Sequence, residues 1–150
     1  MNKTMGWVFC LTILLIAACR SDGSKVSIEV RAAETEPGEG LEEVDYSAWG
    51  HTETFYLHDE VFLTESDIRS ASVVAWKEFP AVEVLLTEKG RDIFADATGR
   101  HIGKRLAILV NGRLACVPIV RDTIQEGKIL INGDFSEEKA RDIAEALTRP

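Results

Sequence analysis

The sequence predicts an α+β fold: a mixed, mostly antiparallel sheet with helices packed on one face. Three observations predict it. Val26, Ile28 and Val30 alternate with polar residues, as do Val82, Val84 and Leu86 around Glu83, which is the period of a strand. Asn111-Gly112 stands between two short apolar runs, the signature of a two-residue hairpin turn. Ala140, Ile143, Ala144 and Leu147 recur at helical spacing and form one apolar stripe.

The chain begins with a targeting pattern. Lys3 precedes the apolar run Trp7–Ile16, which is too short to form a free-standing membrane span. Ala17-Ala18-Cys19 closes the run, and Arg20-Ser21-Asp22 follows at once. Small residues before a Cys resemble a bacterial lipobox. Residues 1–18 read as a lipoprotein signal peptide and Cys19 as the acylated N-terminus, carrying palmitate or similar chains; the alternatives are a Cys that merely lies near an ordinary signal cleavage site, or an N-terminal anchor that is kept. Residues 19–25 form a short tether of roughly 20 Å at full extension, and residues 26–150 form one domain. Removal of residues 1–18 leaves 150 − 18 = 132 residues, one domain by length, and takes the formal charge from −8 to −9 with the loss of Lys3. An acidic chain lacks the basic footprint that nucleic acid requires. Cys10 belongs to the leader and Cys19 to the anchor, so Cys116 has no partner for an internal disulfide. The expected location is extracytoplasmic, on a membrane through the lipid.

After the Val26–Val30 strand, the acidic stretch Glu34–Gly50 with Pro37, Gly38 and Gly40 reads as a long loop. Phe55–Leu57 reads as a short strand. Thr64-Glu65-Ser66-Asp67 resembles a helix start, which would turn Ile68, Ala71 and Ser72 inward. Pro80 separates that helix from the Val82–Leu86 strand. Thr87 caps a helix from Glu88 to about Thr98, with Ile93, Phe94 and Ala97 on its apolar face, Gly90 on the same face, and Gly99 as its stop. The Asn111-Gly112 turn sets Val110 opposite Arg113, Ile108 opposite Ala115 and Leu106 opposite Val117. Ala107, Leu109, Leu114 and Cys116 then share the other face. Both faces are apolar, which implies cover on both sides or a face kept for a partner. Leu109, Leu114 and Cys116 are the candidate contact residues. Pro118 ends the hairpin, Lys128–Ile131 is the last strand, and Ser136 caps the last helix with Phe135 placed to staple onto Ala140.

Several segments together resemble one family. They are Tyr56–Glu60 with Leu63–Ile68, Pro80–Val84, Thr87–Gly90 with Phe94, and Thr98-Gly99 leading to Ile102–Ile108. Pro118–Val120 and Ile131–Glu138 complete the series. In this order they resemble the head of the large periplasmic domain of SecD, or of the fused SecDF, the accessory membrane protein of protein export. The resemblance implies the fold and a polypeptide-contacting role. It transfers no catalytic residue and no cofactor. Proton-coupled export is attributed to the family's membrane-spanning part, which the resemblance does not reach. Val61 stands where the family tends to have Pro, and Cys116 where it tends to have a small polar residue.

The expected function is a non-catalytic, lipid-anchored module that binds exported polypeptide or an envelope or translocation protein. A hydrolytic or metal-dependent enzyme is the alternative, and it would need His58, Asp59, Glu60 and His101 to converge. Consecutive strand residues point to opposite sides, and the three His residues show no ligand spacing, so no metal site is expected. A structural or inhibitory lipoprotein that reuses the fold is the third class.

Overall fold

The computed structural model describes residues 26–148. Cys10, Cys19, the leader and the tether lie outside the described residues. Among the described residues, eight strands, one 3-10 turn and two helices follow one another. The strands are β1 (Ile28–Glu34), β2 (Glu42–Ala48), β3 (His51–Leu63), β4 (Ile68–Trp76), β5 (Phe79–Leu86), β6 (Arg105–Val110), β7 (Arg113–Cys116) and β8 (Lys128–Asn132). The 3-10 turn is Glu65–Asp67, and the helices are α1 (Glu88–Arg100) and α2 (Glu137–Thr148). The class is α+β, with antiparallel pairing throughout the two sheets. One sheet has the order β2-β3-β1-β6-β7 and the other β4-β5-β8.

Two expected elements differ. The acidic stretch 34–50 contains β2, whose Val44, Tyr46 and Ala48 turn inward while Glu43, Asp45 and Ser47 stay outside. β2 is an outer strand, where charge is the usual protection against stray pairing, so its acids conceal a strand rather than mark a loop. The Thr64 cap starts only a single turn: Asp67 Oδ2 accepts the Thr64 N–H at 3.1 Å, and the chain leaves as β4, not as a helix. Short polar and β-branched residues (Ser70, Ser72, Val73, Val74) favour the extended chain there. β3 is also longer than Phe55–Leu57. Irregular pairing with β1 lets both Phe62 and Leu63 be buried at its end.

The main core lies between the two sheets and the helices. Ile28, Val30, Leu106 and Ile108 of the first sheet meet Val82, Val84, Ile129 and Ile131 of the second, with Phe94 of α1 and Ile143 and Leu147 of α2. All four stripe residues of α2 are buried there. A second core fills the other side of the five-stranded sheet: Ala33, Phe55, Leu57, Ala107, Leu109 and Val117. That sheet curls until β2 lies against β7, which closes over this second core. The apolar character of both hairpin faces follows, because each face has its own core.

α1 begins as expected, with the Thr87 hydroxyl accepting the Gly90 N–H at 3.1 Å. It continues through Gly99 to Arg100. Thr98 is fully buried; its hydroxyl donates to the Phe94 carbonyl at 2.8 Å and accepts the Ile124 N–H at 3.0 Å, tying the loop after β7 to the helix.

Candidate contact face on the hairpin

The hairpin turns at Asn111-Gly112 with φ of 52° and 70°, the left-handed pair that a type I′ turn needs. Val110 pairs with Arg113 and Leu109 with Leu114. The register then slips, and Ile108 pairs with Cys116 rather than Ala115. Ala115 is the extra residue of a β-bulge. The slip carries Cys116 onto the face of Ile108 and the main core, and it carries Val117 to the second core beside Leu109.

Leu109, Leu114 and Cys116 therefore do not share one face. Leu109 is 4% exposed within the second core and Cys116 6% exposed within the main core. Leu114 is half-buried and packs against the second core. It lines an open groove of about 240 Å³ with Tyr46, Arg113, Asp134, Phe135 and Lys139. Burial holds the Cys116 thiol up at about 12, although the Asn132 backbone favours the thiolate in part. At neutral pH it is a protonated, buried apolar group and not a nucleophile. Burial also raises Tyr46, helped by the Cys116 thiolate that forms only in alkali and by the carboxylates of Asp134 and Glu53. Asp134 Oδ2 accepts the Trp49 N–H at 3.2 Å, which fixes the β2–β3 turn beside the groove.

His58, Asp59, Glu60 and His101 have separate surroundings. His58 Nε2 lies 3.2 Å from Glu34 Oε1. The His101 ring packs on Phe62 with centroids 5.2 Å apart, and its Nδ1 bonds the Ala97 carbonyl at 2.7 Å. Asp59 stands 3.8 Å from Arg31. Among the described residues no three His, Cys, Asp or Glu groups are placed to hold a metal ion. The buried charge near this strand is Arg31, which the sequence reading passed over. Its Nε donates to the His58 carbonyl at 2.7 Å and its Nη1 to Glu42 at 2.7 Å, so it ties β1 to both β2 and β3. An Arg set between Val30 and Ala32-Ala33 in a central strand is the available signal.

No described helix is long and apolar enough to cross a membrane. Compared with known proteins, residues 42–149 match the family described as SecDF, P1 head subdomain. The protein translocase subunit SecD of Desulfurispirillum indicum is 35% identical over 95 residues, 62% of this chain and 18% of that protein. The protein translocase subunit SecDF of Thermus thermophilus is 38% identical over 87 residues, 57% of this chain and 12% of that protein. The chain thus spans less than a fifth of the length of either relative. A crystal structure of SecDF in a super-membrane-facing form superposes with a TM-score of 0.67 at 25% identity, over 84% of this chain and 19% of that one. A structure of SecDF described as a membrane component that enhances protein export gives 0.67 at 24% identity, over 84% and 63%, and bears on the fold alone.

Proposed function

The chain belongs to the SecDF P1 head subdomain family, and we propose that it is a lipid-anchored, extracytoplasmic form of that head, binding exported polypeptide or an envelope or translocation protein and performing no catalysis. In this reading residues 1–18 are removed, Cys19 carries the lipid, and residues 20–25 hold the domain close to the membrane. The observation that carries the reading is the match over residues 42–149, which takes in every element from β2 to α2. Relatives that share this head are named as protein translocase subunits. The accessible part of the hairpin face, at Leu114 above its groove, is the proposed contact.

A photoreactive amino acid in place of Leu114, in the full chain in growing cells, tests this. Adducts with exported chains or translocation subunits are the expected products. Adducts confined to one unrelated envelope protein would favour the structural or inhibitory class, and an unmodified chain would remove Leu114 as the contact.

A further inference from the structure

β4 is the outer strand of the three-stranded sheet, with β5 on one edge. Lys77 and Glu78 form a two-residue turn, so Trp76 and Phe79 are its closing hydrogen-bonded pair. Alternation then turns the peptide groups of Val74 and Ser72 toward β5, and those of Ala71, Val73 and Ala75 outward. Ala71 shows this directly: its N–H donates to the Thr148 hydroxyl at 3.1 Å, and its carbonyl lies 3.1 Å from the same oxygen. One hydroxyl of α2 thus occupies the place of a neighbouring strand at Ala71. Val73 and Ala75 have no such partner among the described residues.

Beyond Ala71, where α2 covers it, this edge lacks the usual protection on the strand itself. The outer strand β2 carries Glu42, Glu43 and Asp45 and lies against β7. β4 has neither charge nor proline from Ser70 to Trp76. An open groove of about 510 Å³ runs between its edge and α2, lined by Ala71, Val73, Ala144, Arg141, Glu145 and Thr148. A second groove of about 300 Å³ continues from Val73 past Ala75 to Phe79, which is 54% exposed.

We propose that β4 takes up an extended segment of another polypeptide as an added strand, hydrogen-bonded at Val73 and Ala75. This rests on the reading that the domain binds polypeptide, and it names a surface apart from Leu114. Charge selects the guest. Exposed Arg69 and Lys77 bracket the uncharged stretch and Arg141 of α2 lines the groove between them, while Glu145 lines that groove as well and Glu78 and Glu137 line the second, so a segment with an uncharged middle and carboxylates placed at Arg69 and Lys77 is complementary. A second copy of β4 laid antiparallel about Val73 would set Arg69 opposite Lys77 at both ends, like charge against like.

The test uses the full chain and a short peptide of alternating Thr and Val with Asp at each end. Bound peptide is expected to slow amide exchange at Val73 and Ala75 by about tenfold or more. Val73→Pro should abolish binding, since that N–H is outside the β4–β5 ladder and its loss spares the sheet. Ala75→Pro serves the same purpose if the first proline variant does not fold, since the Ala75 N–H also lies outside the β4–β5 ladder. Peptide bound with protection only around Leu114 overturns the edge and leaves polypeptide binding standing. A folded chain that binds no peptide also overturns the edge, and polypeptide binding then rests on the Leu114 crosslinks. Protection at Val73 without peptide that grows with protein concentration assigns the edge to a second copy, and overturns the proposal as well.

Discussion

A Cβ at Gly90 would lie 2.6 Å from the Asp67 carbonyl oxygen and 2.9 Å from the Asp67 Cβ. That carbonyl already accepts the Thr87 N–H at 2.8 Å, so the turn before β4 cannot retreat without giving up a bond. Two effects of Gly90→Ala oppose each other. The gain in helix propensity is at most about 1 kcal/mol, while forcing a methyl into a filled site costs about 1–3 kcal/mol. The clash is with backbone, so it prevails, and urea unfolding should show a loss of about 1–2 kcal/mol. A variant as stable as the parent would mean that the Asp67 turn shifts freely. Gly90 was legible from its place on the apolar face of α1, although its neighbour was not, because the turn it meets was read as part of a helix. Cys116 marks the opposite limit. Its partner across the hairpin is set by the extra residue Ala115, whose carbonyl oxygen would be 2.9 Å from a Cβ at Gly133. A bulge that depends on so close an approach from a distant loop leaves no local mark in a four-residue strand.

Turn chemistry separates the elements that were readable from those that were not. Asn111-Gly112 announces the β6–β7 hairpin because both residues tolerate positive φ. The β4–β5 hairpin uses the same left-handed pair at Lys77 (φ 48°) and Glu78 (φ 70°), residues that give no such signal. With the Thr64 cap just upstream, the stretch resembles a helix start. The left-handed conformation costs about 1 kcal/mol or more for each non-glycine residue. Part of this is offset by the Lys77 ammonium, which lies 4.6 Å from the centroid of the Trp76 ring, worth about 0.5–1 kcal/mol at an exposed site. Replacing Lys77-Glu78 by Asn-Gly removes both the strain and the ring contact. A net gain of about 1 kcal/mol is expected, visible as a raised urea midpoint with an unchanged slope. A lower midpoint would show that Lys77 and Glu78 make contacts that outweigh their backbone cost. Neither residue lies between Ser70 and Trp76, so the edge keeps its backbone groups and loses only the bracketing charge of Lys77.

At the scale of the whole molecule, the two sheets and two helices account for the described residues as a closed domain, and the proposed membrane attachment is assigned to the residues before it. No described helix can span a bilayer. Electrostatics works against peripheral binding, because residues 26–150 hold 14 basic and 24 acidic side chains, a net charge of −10, and are repelled by anionic lipid rather than held by it. The proposed source is the lipid on Cys19, with two or more acyl chains giving stable anchoring where a single chain gives only marginal binding. The two possible sources respond differently to treatment. A charge-held protein leaves the membrane in high salt, since surface attraction is screened within about 10 Å at 0.1 M salt and less above it. A lipid-held one stays. The full-length protein should therefore remain in the membrane fraction after a high-salt wash and leave it in detergent, while Cys19→Ser should appear in the soluble fraction or accumulate unprocessed. Cys19→Ser that is processed normally and stays with the membrane would remove the anchor from the proposal, and would leave the fold and the β4 edge as they stand.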